Sequence, residues 1–166
     1  MSKKKVPHQL TKNVKLLQKA VLIHNGRILI LQRSKDSASR PECWDLPGGN
    51  SEWPVSQAGQ EDLNQENMHQ QDVAREIKEE TALTVFPQHF TKENLTFFRT
   101  FYEAKKDVFT IITAWKVEMP SDFERSQLKL SNEHIDHKWI MIEDLKEYDF
   151  GGKKGEFIKD MIRNSV

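Results

Sequence analysis

The chain has 166 residues, 37% hydrophobic and 30% charged, with 25 Lys+Arg balanced against 25 Asp+Glu. That composition suits one water-facing domain with one core and excludes an acidic or basic protein as a whole. No apolar run reaches the roughly 18 residues of a spanning helix, and the single cysteine, Cys43, excludes an internal disulfide, so the cytoplasm is the expected compartment.

Residues 1–15 read as a basic N-terminal arm and 16–166 as a single domain. The arm lacks the apolar stretch of a signal peptide. Lys3, Lys4, Lys5, Lys12, Lys15 and Lys19 crowd positive charge into the start of the chain. Without aromatic neighbours they form no stacking platform for single strands. They read as a solvated basic tail, and nucleic acid is not an expected partner.

Residues 20–34 predict a β-hairpin around Asn25-Gly26, a pair suited to a type I′ turn. A polar loop follows over 34–42, then a short apolar strand over 43–50 that stops at Pro47-Gly48-Gly49. Residues 51–66 are rich in Gln, Glu and Ser and read as a loop or weakly ordered insert. A helix is predicted from near Asn67 to near Thr81, with Asn67 and Gln70 as a variant capping box and Val73, Ala74 and Ile77 as its apolar face. Strands are predicted over 82–87, 95–104, 107–119 and 137–145, with a turn at Ala104-Lys105-Lys106. An amphipathic helix over 154–166 turns Phe157, Ile158, Met161 and Ile162 inward. The order predicts an α/β fold, a mixed β-sheet flanked by helices on both faces.

On the first helix Glu76, Glu79 and Glu80 share a face, spaced i, i+3 and i+4, with Asp72 one turn earlier. Like charges so placed repel, and Arg75, which reaches Glu79, does not balance the cluster. A hard divalent cation such as Mg²⁺ would, because it takes carboxylate oxygens and bridges to substrate phosphates; Mn²⁺ is the alternative ion. On the helix alone a solvated acidic face is the favoured reading. The upstream "LPGG" (46–49) adds weight to the metal, since its glycines let backbone approach a ligand closely.

"WDLPGG" (44–49) followed by "REIKEETAL" (75–83) resembles the Nudix hydrolase signature, G-x5-E-x7-R-E-apolar-x-E-E-x-G-apolar. Gly49, Arg75, Glu76, Ile77, Glu79, Glu80 and Leu83 match it, and "VLIHNGRILILQRS" and "NEHIDHKWIMIEDL" are similar to the family's opening hairpin and late segment. Two positions depart. Val55 stands where the early Glu belongs, because about a dozen extra residues separate the glycines from the helix, and Ala82 replaces the late Gly.

The resemblance implies a Nudix-like α/β/α sandwich and a MutT-like enzyme that hydrolyses a phosphoric anhydride bond in a nucleotide or nucleoside diphosphate-X compound, using Mg²⁺ or Mn²⁺. It implies Glu76, Glu79, Glu80 and the Gly48 carbonyl as metal ligands and Arg75 as the residue orienting them. It offers Glu76 or Glu133 as general base, and Arg33, Trp44 and Gly49 as substrate contacts. His134 and His137 have no Cys or further His to complete a zinc site, and Cys43 reads as inert. Phe98, Phe101 and Tyr102 read as sheet packing, with room for one of them to line a pocket. The alternative is a non-catalytic Nudix-like domain that binds a nucleotide or a partner; an RNA-facing hydrolase using the basic arm ranks last. The sequence leaves the substrate and the oligomeric state open.

Overall fold

A computed structural model of the chain describes residues 13–52 and 66–166. Most of the N-terminal arm and most of the predicted insert therefore lie outside the described residues. Within them, no helix is long and apolar enough to cross a membrane.

Strand β1 (Asn13–His24) and strand β2 (Arg27–Arg33) form the predicted hairpin. Asn25 and Gly26 both have positive φ, as a type I′ turn requires. β1 takes in Asn13, Val14 and Lys15, which the sequence assigns to the arm. The two strands pair directly only at Ile23↔Ile28 and His24↔Arg27 and then diverge. Strand β3 (Trp44–Asp45) pairs with β2 at Gln32 and Leu31, and the chain after it runs along β1. There Ala20 N–H donates to Pro47 O at 2.9 Å, Gln18 N–H to Gly49 O at 3.0 Å and Ser51 N–H to Leu16 O at 2.8 Å. The glycine pair thus fills the wedge between two central strands. Strand β4 (Leu95–Glu103) pairs antiparallel with strand β5 (Val108–Glu118), which pairs parallel with β1; strand β6 (His134–Ile140) covers the other edge of β2.

Helix α1 (Met68–Thr81) and helix α2 (Glu156–Ser165) bury opposite faces of this mixed sheet. The alternation along β1 and β2 sets the sides. Ala20, Leu22, Leu29 and Leu31 pack with Val73 and Ile77 of α1, whereas Val21, Ile23, Ile28 and Ile30 pack with Ile158, Met161 and Ile162 of α2. Phe157 packs against the second cluster, as its spacing predicts.

Several local expectations change. Asn67 makes no side-chain cap and sits at φ 54°, and Gln70 donates instead to Phe90 O at 3.2 Å, so no capping box forms. Residues 82–86 are not a strand. The chain leaves α1 through Ala82 at φ 61°, whose N–H closes on Lys78 O, and Leu83 and Val85 are buried in the α1-side core without a pairing strand. A short apolar run has no period long enough to separate these outcomes. β6 begins before the predicted 137 and ends at Ile140, and residues 142–147 form a 3₁₀ turn. Phe98, Phe101 and Tyr102 are about half exposed on β4, at 63%, 47% and 53%, rather than packed down on the sheet.

Candidate active site

The first wall of the site is built around Asp45, a fully buried carboxylate on β3. Its Oδ2 meets Arg40 at 2.8 Å, Arg33 at 3.1 Å and Lys19 at 3.3 Å, and its Oδ1 accepts the Leu46 N–H. Burial pushes this carboxyl up, but Lys19, Arg40, the Leu46 N–H and Arg33 together hold it below the usual carboxylate range. Both arginines are also tied to backbone. Arg33 Nε donates to Ser39 O, and Arg40 donates to Phe150 O at 3.0 Å. Lys19, read from sequence as part of a solvated tail, is only 4% exposed. Its Nζ donates to Gly48 O at 2.7 Å and Leu46 O at 3.1 Å.

The second wall is the acidic face of α1. Arg75 donates to Asp72 at 2.7 Å and to Glu76 and Glu79 at 2.8 Å. Glu80 is buried and accepts the Gly48 N–H at 2.7 Å, which ties the helix to the glycine wedge. Residue 48 admits only glycine, and a side chain at residue 49 would push Glu76 aside. A Cβ at residue 49 would stand 2.9 Å from Glu76 Oε2, and one at residue 48, where φ is 114°, would collide with the Gln18 carbonyl. The end of α1 is held in turn, because Thr81 O and Glu80 O accept the N–H groups of Lys129 and Ser131.

These walls face one cavity of about 540 Å³, whose lining includes Lys19, Arg33, Arg40, Asp45, Gly48, Gly49, Arg75, Glu76, Glu79, Glu80 and Glu133. Nearly every residue singled out from the sequence is therefore gathered in one place. Trp44 is not. It is 8% exposed in the α2-side core, edge-on to Tyr148 and beneath Lys138. Lys19, Arg40 and Asp45 are the residues the sequence did not single out. A signal existed for Lys19, since it falls on the inward alternation Leu17, Lys19, Val21, Ile23, where a lysine requires a buried partner. A second cavity of about 390 Å³ shares Leu17, Asn50, Lys154 and Phe157 with the first and adds Arg99, Phe101 and Thr110.

Among the described residues no three His, Cys, Asp or Glu side chains converge closely enough to hold an ion in this arrangement. Arg75 keeps Asp72, Glu76 and Glu79 to itself. The donor chemistry nonetheless fits a hard divalent cation, being all carboxylate oxygen. Burial pushes the Glu80 carboxyl up to about 7, although Lys19 and the Gly48 N–H act the other way. Burial likewise raises Glu76 against the pull of Arg75. In both, burial outweighs the nearby cation, Lys19 for Glu80 and Arg75 for Glu76, and a divalent ion would add positive charge to the ionised forms. His134 does not, because burial and Lys19 lower its pKa to about 4 and leave it neutral 3.9 Å from Glu80. Cys43 is likewise no nucleophile, its thiol being raised by burial and then by Asp149.

Residues 18–161 match the family model described as NUDIX domain. A MutT protein from Methanosarcina mazei Go1 superposes with a TM-score of 0.61 at 25% identity, covering 93% of this chain and 97% of its own. A MutT NUDIX hydrolase from Burkholderia pseudomallei gives 0.60 at 18% identity, over 91% and 99%, and E. coli dihydroneopterin triphosphate pyrophosphohydrolase 0.56 at 18%, over 94% and 96%. No curated protein matches.

Proposed function

The chain belongs to the NUDIX family, as a hydrolase acting on phosphoric anhydride bonds, and from that premise we propose that it cleaves a diphosphate bond in a nucleotide or nucleoside diphosphate derivative by attack of water at phosphorus. The observation that carries this reading is the meeting of an acidic helix and a basic wall across one cavity. Glu76, Glu79 and Glu80 are the side chains that would hold Mg²⁺ or Mn²⁺. Bound there, the ion would neutralise phosphate oxygens and lower the pKa of water.

The remaining roles belong to the chain. Arg75 orients the carboxylates it binds. Gly49 leaves space for Glu76 to reach the cavity, and Gly48 holds Glu80 through its N–H. Arg33, whose side chain is 25% exposed on the basic wall, faces the substrate's phosphates. Glu133 lines the cavity with its carboxylate free of any hydrogen bond or ion pair among the described residues, so it can swing to take the proton of the attacking water, while Glu76 is held by Arg75. The adjoining cavity with Phe101 offers room for the nucleoside. Trp44, packed in the core, takes no part in binding.

The test is hydrolysis of nucleoside triphosphates, dinucleoside polyphosphates, ADP-ribose and sugar nucleotides in ¹⁸O-labelled water. Turnover with label in a phosphorylated product supports water attack at phosphorus. Nucleotide binding without turnover on any compound supports the binding-module alternative instead.

A further inference from the structure

Lys19 is the least expected residue in the site. It stands on a central strand with its side chain 5% exposed, and its ammonium group donates to Gly48 O at 2.7 Å and Leu46 O at 3.1 Å and pairs with Asp45 Oδ2 at 3.3 Å. A lysine that met phosphate would need a free N–H and a path to the cavity. This one lines the cavity, but its ammonium group is engaged by Gly48 O, Leu46 O and the Asp45 carboxylate. What it provides is a fixed positive charge at one particular carbonyl.

That carbonyl is the backbone oxygen which the sequence pattern assigns to a metal ion. The residue that carries it is gripped through both of its flanking peptides. Lys19 holds the Gly48 oxygen while Glu80 takes the Gly48 N–H at 2.7 Å, so a cation and an anion are locked on the two ends of one short hydrogen-bonded bridge. Asp45 secures the lysine, and Arg33 and Arg40 secure Asp45, which leaves Lys19 no alternative partner to swing toward. An ion reaching for the Gly48 oxygen would meet an ammonium group 2.7 Å from it, against like-charge repulsion.

We propose that Lys19 is a built-in cation that takes the place of one metal ion at the Gly48 carbonyl, confining divalent metal to the carboxylates of Glu76, Glu79 and Glu80 and making Lys19 a positioning residue of the site. It rests on the metal-dependent reading above. The Lys19 charge stands behind the Gly48 loop, and the carboxylates of α1 face the cavity from which ions would enter.

The experiment counts Mn²⁺ bound per chain, by the loss of free-Mn²⁺ EPR signal, for wild type and Lys19→Met. The expected result is one additional ion in Lys19→Met, taken up at the vacated carbonyl. Equal, non-zero counts with equal affinity overturn the proposal and leave the metal-dependent reading standing, whereas no Mn²⁺ bound by either protein overturns both. Should Lys19→Met fail to fold, the wild type decides. The ¹⁵N-ammonium resonance of Lys19 keeps its protection at saturating Mg²⁺ if the lysine stays on the carbonyl, and its collapse on adding Mg²⁺ overturns the proposal.

Discussion

The two walls of the cavity are inverse images. On one, a single carboxylate, Asp45, gathers Lys19, Arg33 and Arg40. On the other, a single cation, Arg75, gathers Asp72, Glu76 and Glu79, with Glu80 beside them. The basic cluster is closed: its carboxylate is fully buried, its cations also bond to backbone, and its charges lower the pKa at its centre. The acidic cluster is unfinished. Arg75 is 38% exposed, and burial raises both Glu76 and Glu80. Clusters of inverse composition therefore do different work. The first is a structural hub that fixes the strand wedge, and the second, on the proposed function, is the receptor for a divalent cation.

Removing the centre of the hub should give the largest effect. Asp45→Asn leaves buried cations without their carboxylate and should destabilise the fold by roughly 3–5 kcal/mol in urea unfolding. An effect below about 1 kcal/mol would mean that the hub is no more structural than the acidic wall. Glu80→Gln should separate the walls from the other side. Turnover should drop about a hundredfold, roughly 2.7 kcal/mol, while stability without metal holds or rises, because a desolvated carboxylate is replaced by a neutral amide. Loss of both together would erase the distinction.

Titration sharpens the comparison because the walls respond with opposite sign. Asp45 has a folded pKa below its unfolded value, so its contribution is present above the unfolded pKa and is lost as pH falls through the folded one. Glu80 is raised from 4.5 to about 7, so the folded state binds more protons between those values. Stability without metal should then decline by on the order of 1–3 kcal/mol as pH rises through that window. Added Mg²⁺ should reverse the decline. Thermal unfolding between pH 4 and 8, with EDTA or Mg²⁺, checks both signs. The smallest effect belongs to a neutral change at the end of the acidic helix. Ala82 adopts a left-handed conformation at φ 61°, which costs alanine about 1–2 kcal/mol. Ala82→Gly should therefore raise stability by about 1 kcal/mol with metal affinity unchanged.

The acidic wall was legible in the sequence because its residues are contiguous and helical spacing alone puts Glu76, Glu79 and Glu80 on one face. The glycine pair was legible for the same local reason. The basic hub was not, since Lys19, Arg33, Arg40 and Asp45 lie on separate elements and meet only because β1 and β2 splay around the 44–51 segment. Ala82 shows a different limit. Its side chain argues against a left-handed helix end, yet the cap forms, held by the Lys78 carbonyl and by Lys129 and Ser131 bonding the last turn. Tertiary bonding outweighed a local preference.

The most direct test of the acidic wall as a catalytic metal site is nucleotide hydrolysis measured while Mg²⁺ is raised from an EDTA-chelated start, for wild type and Glu80→Gln. The expected result is no turnover in EDTA, a saturating rise with Mg²⁺ in the wild type, and collapse of that rise in a folded Glu80→Gln. Turnover indifferent to EDTA, or equal in the two proteins, would contradict it.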